Sequence, residues 1–84
     1  MPEEKVGVVK DYFARIGVAG IELSAPLRAG DTVHVKGHTT DFSQVVSSIQ
    51  IEHQTVSEAG AGSSVGVRVT ERCRGGDVVY RVTP

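Results

Sequence analysis

The chain has 84 residues, of which 39% are hydrophobic and 23% charged. This length allows a single domain over residues 1–84, and this composition is typical of a folded globular protein rather than a disordered one. The net charge of −1 excludes a polycation, so any nucleic-acid contact would need a local basic patch. Fifteen Val, four Ile and six Thr outnumber two Leu and one Met, which favours an all-β fold over a helical bundle or a nucleotide-binding α/β domain.

Six strands are predicted in chain order, and turn residues separate them. They cover residues 5–13, 18–23, 32–36, 42–56, 65–70 and 78–82. Pro26 and several glycine-containing turns interrupt the pattern, because proline cannot donate to a sheet ladder and glycine adopts turn conformations. The clearest alternation is at Val65, Val67 and Val69, which predicts that these side chains share one face. Short strands joined by tight turns predict a small closed antiparallel barrel, since closure removes exposed sheet edges.

The cysteine content and the N-terminus predict a soluble cytoplasmic protein with no membrane contact. Cys73 is the only cysteine, so no internal disulfide can form. No apolar run approaches the roughly 18 residues of a spanning helix, and the acidic N-terminal residues 1–4 do not match a signal peptide. Cys73 also stands between two arginines, an environment that lowers the pKa of a thiol.

Three turn segments resemble those of domain 2 in translation GTPases of the elongation factor Tu class. Residues 27–33 (LRAGDTV) resemble the L-x-x-G-D-x-V turn of that domain. Residues 46–50 followed by 58–67 resemble its long strand and A-G-x-x-V-G turn, and residues 74–79 resemble its closing R-G-D/x-V-L element. The same order resembles standalone translation elongation factor-like proteins. It is also similar to a barrel appended to collagenase-like peptidases, which include tRNA-modifying members.

This resemblance implies a closed six-stranded antiparallel barrel and does not imply GTP hydrolysis. The G-x-x-x-x-G-K-[ST] run that cradles nucleotide phosphates is missing from the chain, so no nucleotide and no cofactor are expected. In the family, domain 2 holds the aminoacylated end of tRNA or docks on ribosomal RNA. The resemblance places Gln50, His53 and Ser64 near the corresponding ligand pocket, where Ser63 and Ser64 replace an acidic or amide residue of the family's turn.

A basic segment near the end of the chain is the best candidate for phosphate contact. On one continuous strand, the arginines at positions 68, 72 and 74 would project from one face, and guanidinium groups bind phosphate bidentately. The predicted nucleic-acid contacts are Arg68, Arg72, Arg74 and Lys36. The alternative is a solvated outer face that Glu71 and Asp77 partly neutralise.

Two other groups of polar residues could carry chemistry but also have ordinary structural explanations. His34, His38 and His53 could form a three-imidazole zinc site, but no cysteine pair or H-E-x-x-H pattern supports it, so no metal is expected. Residues 37–42 (GHTTDF) combine a histidine, hydroxyls, a carboxylate and an aromatic ring that could stack on a ligand. Nucleophilic catalysis uses such groups, yet polar turns use them too. We therefore predict that the chain is not an enzyme.

Two hypotheses for function follow. The first is a non-enzymatic binding module related to translation-factor domain 2, with a role in protein biosynthesis and tRNA, ribosomal RNA or a translation protein as its partner. The alternative is a protein-interaction domain that acts in trans with a collagenase-like peptidase or an RNA-modifying enzyme. These hypotheses differ in a measurable way, because phosphate contacts weaken with salt and apolar docking does not.

Overall fold

A computed structural model describes residues 3–83, and their backbone forms ten β-strands. In chain order the strands are β1 (Glu3–Phe13), β2 (Val18–Leu23), β3 (Leu27–Arg28), β4 (Thr32–Lys36), β5 (Asp41–Val45), β6 (Ile49–Ile51), β7 (Gln54–Val56), β8 (Glu58–Ala59), β9 (Ser64–Arg68) and β10 (Val78–Val82). Within this range no helix has the length and apolar character needed to cross a membrane. The predicted all-β fold is confirmed.

Eight strands form one antiparallel sheet in the order β5-β4-β10-β1-β2-β9-β6-β7, and β3 pairs with β8 as a separate ladder. The strands at the two ends of this order, β5 and β7, are not paired with each other, so the sheet is open. The predicted closed six-stranded barrel is therefore wrong in its closure and in its number of strands. The antiparallel pairing of neighbouring strands is confirmed.

The sheet stays open because residues 42–56 do not form the single long strand that was predicted. After β5, the backbone of Val46 exchanges two hydrogen bonds of 2.8 Å with Gly30 and Asp31. After β6, the chain reverses at Glu52 and His53, whose φ angles of 49° and 68° are typical of a two-residue hairpin turn. The segment is thus divided among three strands, of which β5 pairs with β4 and β6 pairs with β9.

The core lies on one face of the sheet and consists mostly of valine. Its buried side chains are Val6, Val9, Ala19, Ile21, Leu23, Leu27, Val33, Val35, Phe42, Val46, Ile49, Ala59, Val65, Val67, Val69, Cys73 and Val79. The predicted common face of Val65, Val67 and Val69 is confirmed by their burial. Each buried valine, leucine or isoleucine contributes roughly 1.5–3 kcal/mol to folding, so this layer is the main source of stability.

Strand β1 lies at the centre of the sheet, between β10 and β2, and it contains two irregularities. Its register with β10 shifts between Lys5 and Gly7, and its register with β2 shifts between Val9 and Asp11. Such bulges insert an extra residue and change which face the following side chains occupy. They allow Val6 and Val9 to be buried together and place Asp11 opposite Gly20 on β2.

Candidate functional site

A groove of about 480 Å³ lies between the β1–β2 hairpin and the β6–β7 hairpin. Residues of β1, β2, β6 and β9 line it together with residues of both hairpin turns. It lies on the face of the sheet opposite the core, because residues that alternate with buried positions of β2 and β9 form its floor.

The floor of the groove is a row of paired residues across four strands. Asp11 on β1 pairs with Gly20 on β2, Gly20 pairs with Gly66 on β9, and Gly66 pairs with Gln50 on β6. Paired residues of an antiparallel sheet project from the same face. The two central members of the row have no side chain, so a depression forms between Asp11 and Gln50.

One wall of the groove is apolar and exposed. Phe13 and Ile16 are 51% and 60% exposed, although both are large hydrophobic residues. Phe13 Cε2 lies 3.7 Å from the position that a β-carbon on Gly20 would occupy, so the ring leans over the glycine floor. Backbone hydrogen bonds from Ile16 and Gly17 to the carbonyl oxygen of Phe13, of 3.2 and 2.9 Å, close the turn that presents Ile16.

The opposite wall is polar, and the groove as a whole is acidic. The β6–β7 turn contributes Glu52 and His53, and β1 contributes Asp11 from the other side. No lysine or arginine lines the groove. Within the described part of the chain, neither Asp11 nor Glu52 forms an ion pair. The groove therefore combines exposed apolar surface with two carboxylates that have no cationic partner there.

The structure brings together the three residues that were predicted to form a ligand pocket. Gln50, His53 and Ser64 all line this groove. Whether they bind a ligand stays a prediction. Asp11 and Glu52 were not predicted from the sequence. The glycine at position 66, inside a predicted strand, is the sequence signal that points to reduced side-chain volume at this groove.

A smaller pocket of about 170 Å³ adjoins the groove. It shares Val18, Gln50 and Gly66 with the groove and adds Arg68 together with two serines at positions 47 and 48. Arg68 is thus the only lysine or arginine among the lining residues of the two pockets. The combined surface is acidic at the hairpin end and basic at the β9 end.

The expectation that one continuous strand presents three arginines is wrong. Strand β9 ends at Arg68. Val69 still donates to the carbonyl oxygen of Gly17 at 2.9 Å, but the N–H of Thr70 then donates to the side-chain Oε1 of Gln44 at 2.7 Å and not to the backbone of a neighbouring strand. Arg72 and Arg74 belong to the segment between β9 and β10. The backbone N–H of Arg74 donates to Asp77 Oδ2 at 2.8 Å, so this carboxylate binds the main chain.

Lys36 lies far from Arg68 in the order of strands. It ends β4, and β10, β1 and β2 separate β4 from β9 in the sheet. The four basic residues predicted to contact nucleic acid thus lie on two separate strands and one connecting segment, and all four are exposed. Phosphate contact at these residues stays a prediction.

The three histidines that could have formed a zinc site are separated. His34 Nδ1 lies 2.8 Å from Glu3 Oε2, and its Nε2 is hydrogen-bonded to Asp41, so both ring nitrogens are occupied. The hydrogen bonds to Asp41 and Glu3 raise the pKa of His34. His38 lies in the β4–β5 loop and His53 in the β6–β7 turn. Among residues 3–83, no three metal-ligating side chains are grouped to hold an ion.

Two further groups singled out in the sequence, Cys73 and the polar turn after β4, have structural roles. Cys73 is buried, and its burial together with the charge of Asp77 raises the pKa of the thiol to about 11, so the predicted lowering of this pKa is wrong. Residues 37–40 form the turn between β4 and β5, in which the N–H of Gly37 donates to the carbonyl oxygen of Thr40 at 2.7 Å. Phe42 belongs to the core, so its ring is not available to stack on a ligand.

Comparison with known proteins shows similarity to peptidases. No family model matches the chain. The chain is 40% identical over 77 residues to an uncharacterized protease of Methanocaldococcus jannaschii and 40% identical over 78 residues to a collagenase of Porphyromonas gingivalis. Each match covers 90% of this chain but only 19% and 22% of those proteins, so the chain spans about a fifth of the length of the curated relatives it matches.

The fold matches that of a solved domain. It superimposes on the C-terminal domain of a Geobacillus thermoleovorans protein named as a U32 peptidase, with a TM-score of 0.89 and 23% identity, covering 95% of this chain and 93% of that one. A selenomethionine variant of the same domain gives a TM-score of 0.86 at 24% identity and covers 90% of this chain and 96% of that one. The predicted similarity to collagenase-like peptidases is therefore confirmed: the chain is similar in sequence to a segment of such proteins and in fold to the C-terminal domain of one U32 peptidase.

The predicted relation to translation elongation factors is wrong, and with it the assignment to protein biosynthesis. RNA as a partner stays a prediction. The relatives are collagenase and U32 peptidase domains. The segments that carried the resemblance contain tight turns, with Gly30, Gly62 and Gly76 at positive φ, followed by valine-rich strands. Because many antiparallel sheets need glycine at such turns, this pattern does not distinguish one family from another.

Proposed function

We propose that this chain is a noncatalytic protein-interaction domain that works with a collagenase-type peptidase in trans. The observation that carries the proposal is the 40% identity to a segment that makes up only 22% of the P. gingivalis collagenase. A segment that makes up a small part of a larger peptidase is typical of an accessory domain. An accessory domain needs a surface with which to bind the rest of the system.

Within residues 3–83, no serine or cysteine is activated as a nucleophile, which supports a noncatalytic role. Ser64 and His53 line the same groove, but among the described residues no hydrogen bond joins them. A catalytic hydroxyl is oriented by a base that a third group holds in place. The thiol of Cys73 is buried with a raised pKa, and both nitrogens of His34 are already bonded to carboxylates.

The groove supports a role in docking. Phe13 and Ile16 place exposed apolar surface on one wall, beside polar groups that can fix the orientation of a partner. Exposed apolar surface that polar residues surround is typical of interaction sites. The opposite face of the sheet is filled by the core, so this outer face is the surface available for a partner.

The test is reconstitution with a peptidase that lacks its own copy of the domain. The P. gingivalis collagenase without its matching segment would be titrated with this chain after nuclease treatment, and complex formation would be followed by sedimentation velocity. The excised collagenase segment is the positive control. We expect a nuclease-resistant complex and no peptide hydrolysis by this chain alone. Hydrolysis by the isolated chain, or a complex with the control segment only, would overturn the proposal.

A further inference from the structure

We infer that the groove receives an arginine or lysine side chain of the partner polypeptide. This inference rests on the proposed function and specifies the chemistry of the docking segment. It follows from three features of the groove: its unpaired carboxylates, its glycine floor and its exposed aromatic wall.

The two carboxylates of the groove differ from two other exposed carboxylates, which form ion pairs. Glu22, on the same sheet, pairs with Lys10 at 3.8 Å, and Glu58 pairs with Arg28 at 3.5 Å. Asp11 and Glu52 lie on opposite walls of the groove, and neither has such a partner among residues 3–83. Three strand spacings of roughly 4.8 Å separate β1 from β6. A cation over the glycine floor would therefore be attracted by both carboxylates without contacting both at once, whereas an anionic side chain would be repelled by both.

The floor fits a long unbranched side chain. A β-carbon on Gly20 would lie 3.5 Å from Asp11 Cβ, and one on Gly66 would lie 3.3 Å from Val18 Cγ1. Any side chain at these two positions would therefore fill the depression between the walls. With glycine at both positions, the stem of an arginine or lysine can lie along the paired backbones of β2 and β9.

The apolar wall complements the same ligand. The exposed ring of Phe13 can pack against the aliphatic stem or the cationic head of a basic residue, and Ile16 extends the apolar surface. A purely apolar side chain would use this wall but would leave the carboxylates of Asp11 and Glu52 in a partly desolvated site without a partner. A basic side chain can pack its aliphatic stem on the apolar wall while its charge is attracted by the two carboxylates.

Arg68 provides a matched control at the other end of the same face. It lines the adjoining pocket and not the groove. Removing its charge should leave capture of a basic side chain unchanged or slightly stronger. A nucleic-acid ligand predicts the reverse pattern, because loss of Arg68 would weaken phosphate contact and loss of the two carboxylates would strengthen it.

The first experiment uses peptides and the wild-type chain. Blocked pentapeptides with a single central Arg, Lys, Leu or Glu between glycines would be titrated into the isotope-labelled chain, with the amide signals of Gly20 and Gly66 followed by NMR. We expect the Arg and Lys peptides to shift both signals with saturation, and to bind roughly tenfold more tightly than the Leu or Glu peptides. Equal binding of the Leu peptide, or no shift with the Arg peptide, would overturn the inference.

The second experiment uses variants in the peptidase complex. Asp11→Asn combined with Glu52→Gln should weaken binding to the truncated collagenase by roughly tenfold, whereas Arg68→Gln should not. Thermal unfolding of each variant verifies that the fold is intact. If the wild-type complex forms and the double variant binds equally well, the inference is wrong and the proposed function stands. If no wild-type complex forms, the proposed function fails, and the peptide titration still decides the chemistry of the groove.

Discussion

Gly37 directly follows β4 and lies beside the carboxyl group of Asp77. A β-carbon on Gly37 would lie 1.9 Å from Asp77 Oδ1 and 2.6 Å from Asp77 Cγ, well inside van der Waals contact. Asp77 is only 5% exposed, and its Oδ2 accepts a hydrogen bond of 2.8 Å from the backbone N–H of Arg74. The carboxyl group therefore cannot move away from a new methyl group without losing this hydrogen bond.

We expect Gly37→Ala to lower the free energy of unfolding by about 2–4 kcal/mol. Loss of a hydrogen bond to a charged group costs roughly 1.5–3 kcal/mol, and residual overpacking adds about 1 kcal/mol. For a domain of this size, such a loss corresponds to a fall in Tm of roughly 10–25 °C. Urea unfolding followed by circular dichroism, with a thermal scan of the same samples, measures both quantities.

The control is Gly60→Ala, because a β-carbon on Gly60 would meet no atom within 4 Å. This variant should be unchanged or more stable by about 0.4–1 kcal/mol. Combining Gly37→Ala with Asp77→Ala removes the collision, so the double variant should lose less stability than the two single variants together. Strictly additive losses, or a Gly37→Ala variant within about 0.5 kcal/mol of the wild type, would refute the steric explanation.

Three further predictions concern the β6–β7 turn, the histidine cluster and the thiol. Replacing Glu52 with Asn and His53 with Gly should raise the free energy of unfolding by about 0.5–1 kcal/mol in urea titrations, since both positions have positive φ and these residues adopt it readily; a loss of stability would contradict this. The raised pKa of His34 means that protonation favours the folded state, so its stabilisation is present below its ordinary pKa of 6.5 and is lost as the pH rises through the raised value. The stability difference between the wild type and His34→Gln should therefore be larger at about pH 6 than at about pH 9, and a difference independent of pH would argue against the cluster. Because the pKa of Cys73 is raised to about 11 and the thiol is buried, a thiol reagent at about pH 8 should label the native chain at least roughly 100-fold more slowly than the urea-unfolded chain; equal rates would show that the thiol is accessible.

The groove was only partly predictable from the sequence. The motif resemblance placed Gln50, His53 and Ser64 near one pocket, and the structure does bring these residues into one groove, although the family that suggested them was wrong. Asp11 was not identified, because its position depends on the β1 bulge that shifts the register before it. A bulge changes the face of every later residue in the strand, and nothing local in the sequence marks it.

The alternation of apolar and polar residues determined the strands of this protein. The predicted boundaries at 18–23, 32–36 and 78–82 coincide with β2, β4 and β10. These strands can be recognised locally, because the face on which a strand side chain lies depends only on its position in a period of two. The identity of neighbouring strands depends instead on contacts between residues far apart in the chain. The break after β5 and the reversal at Glu52 and His53 left the sheet open. Likewise, Gly20 and Gly66 are separate small residues in the sequence, and only the pairing of β2 with β9 makes them the floor of a groove.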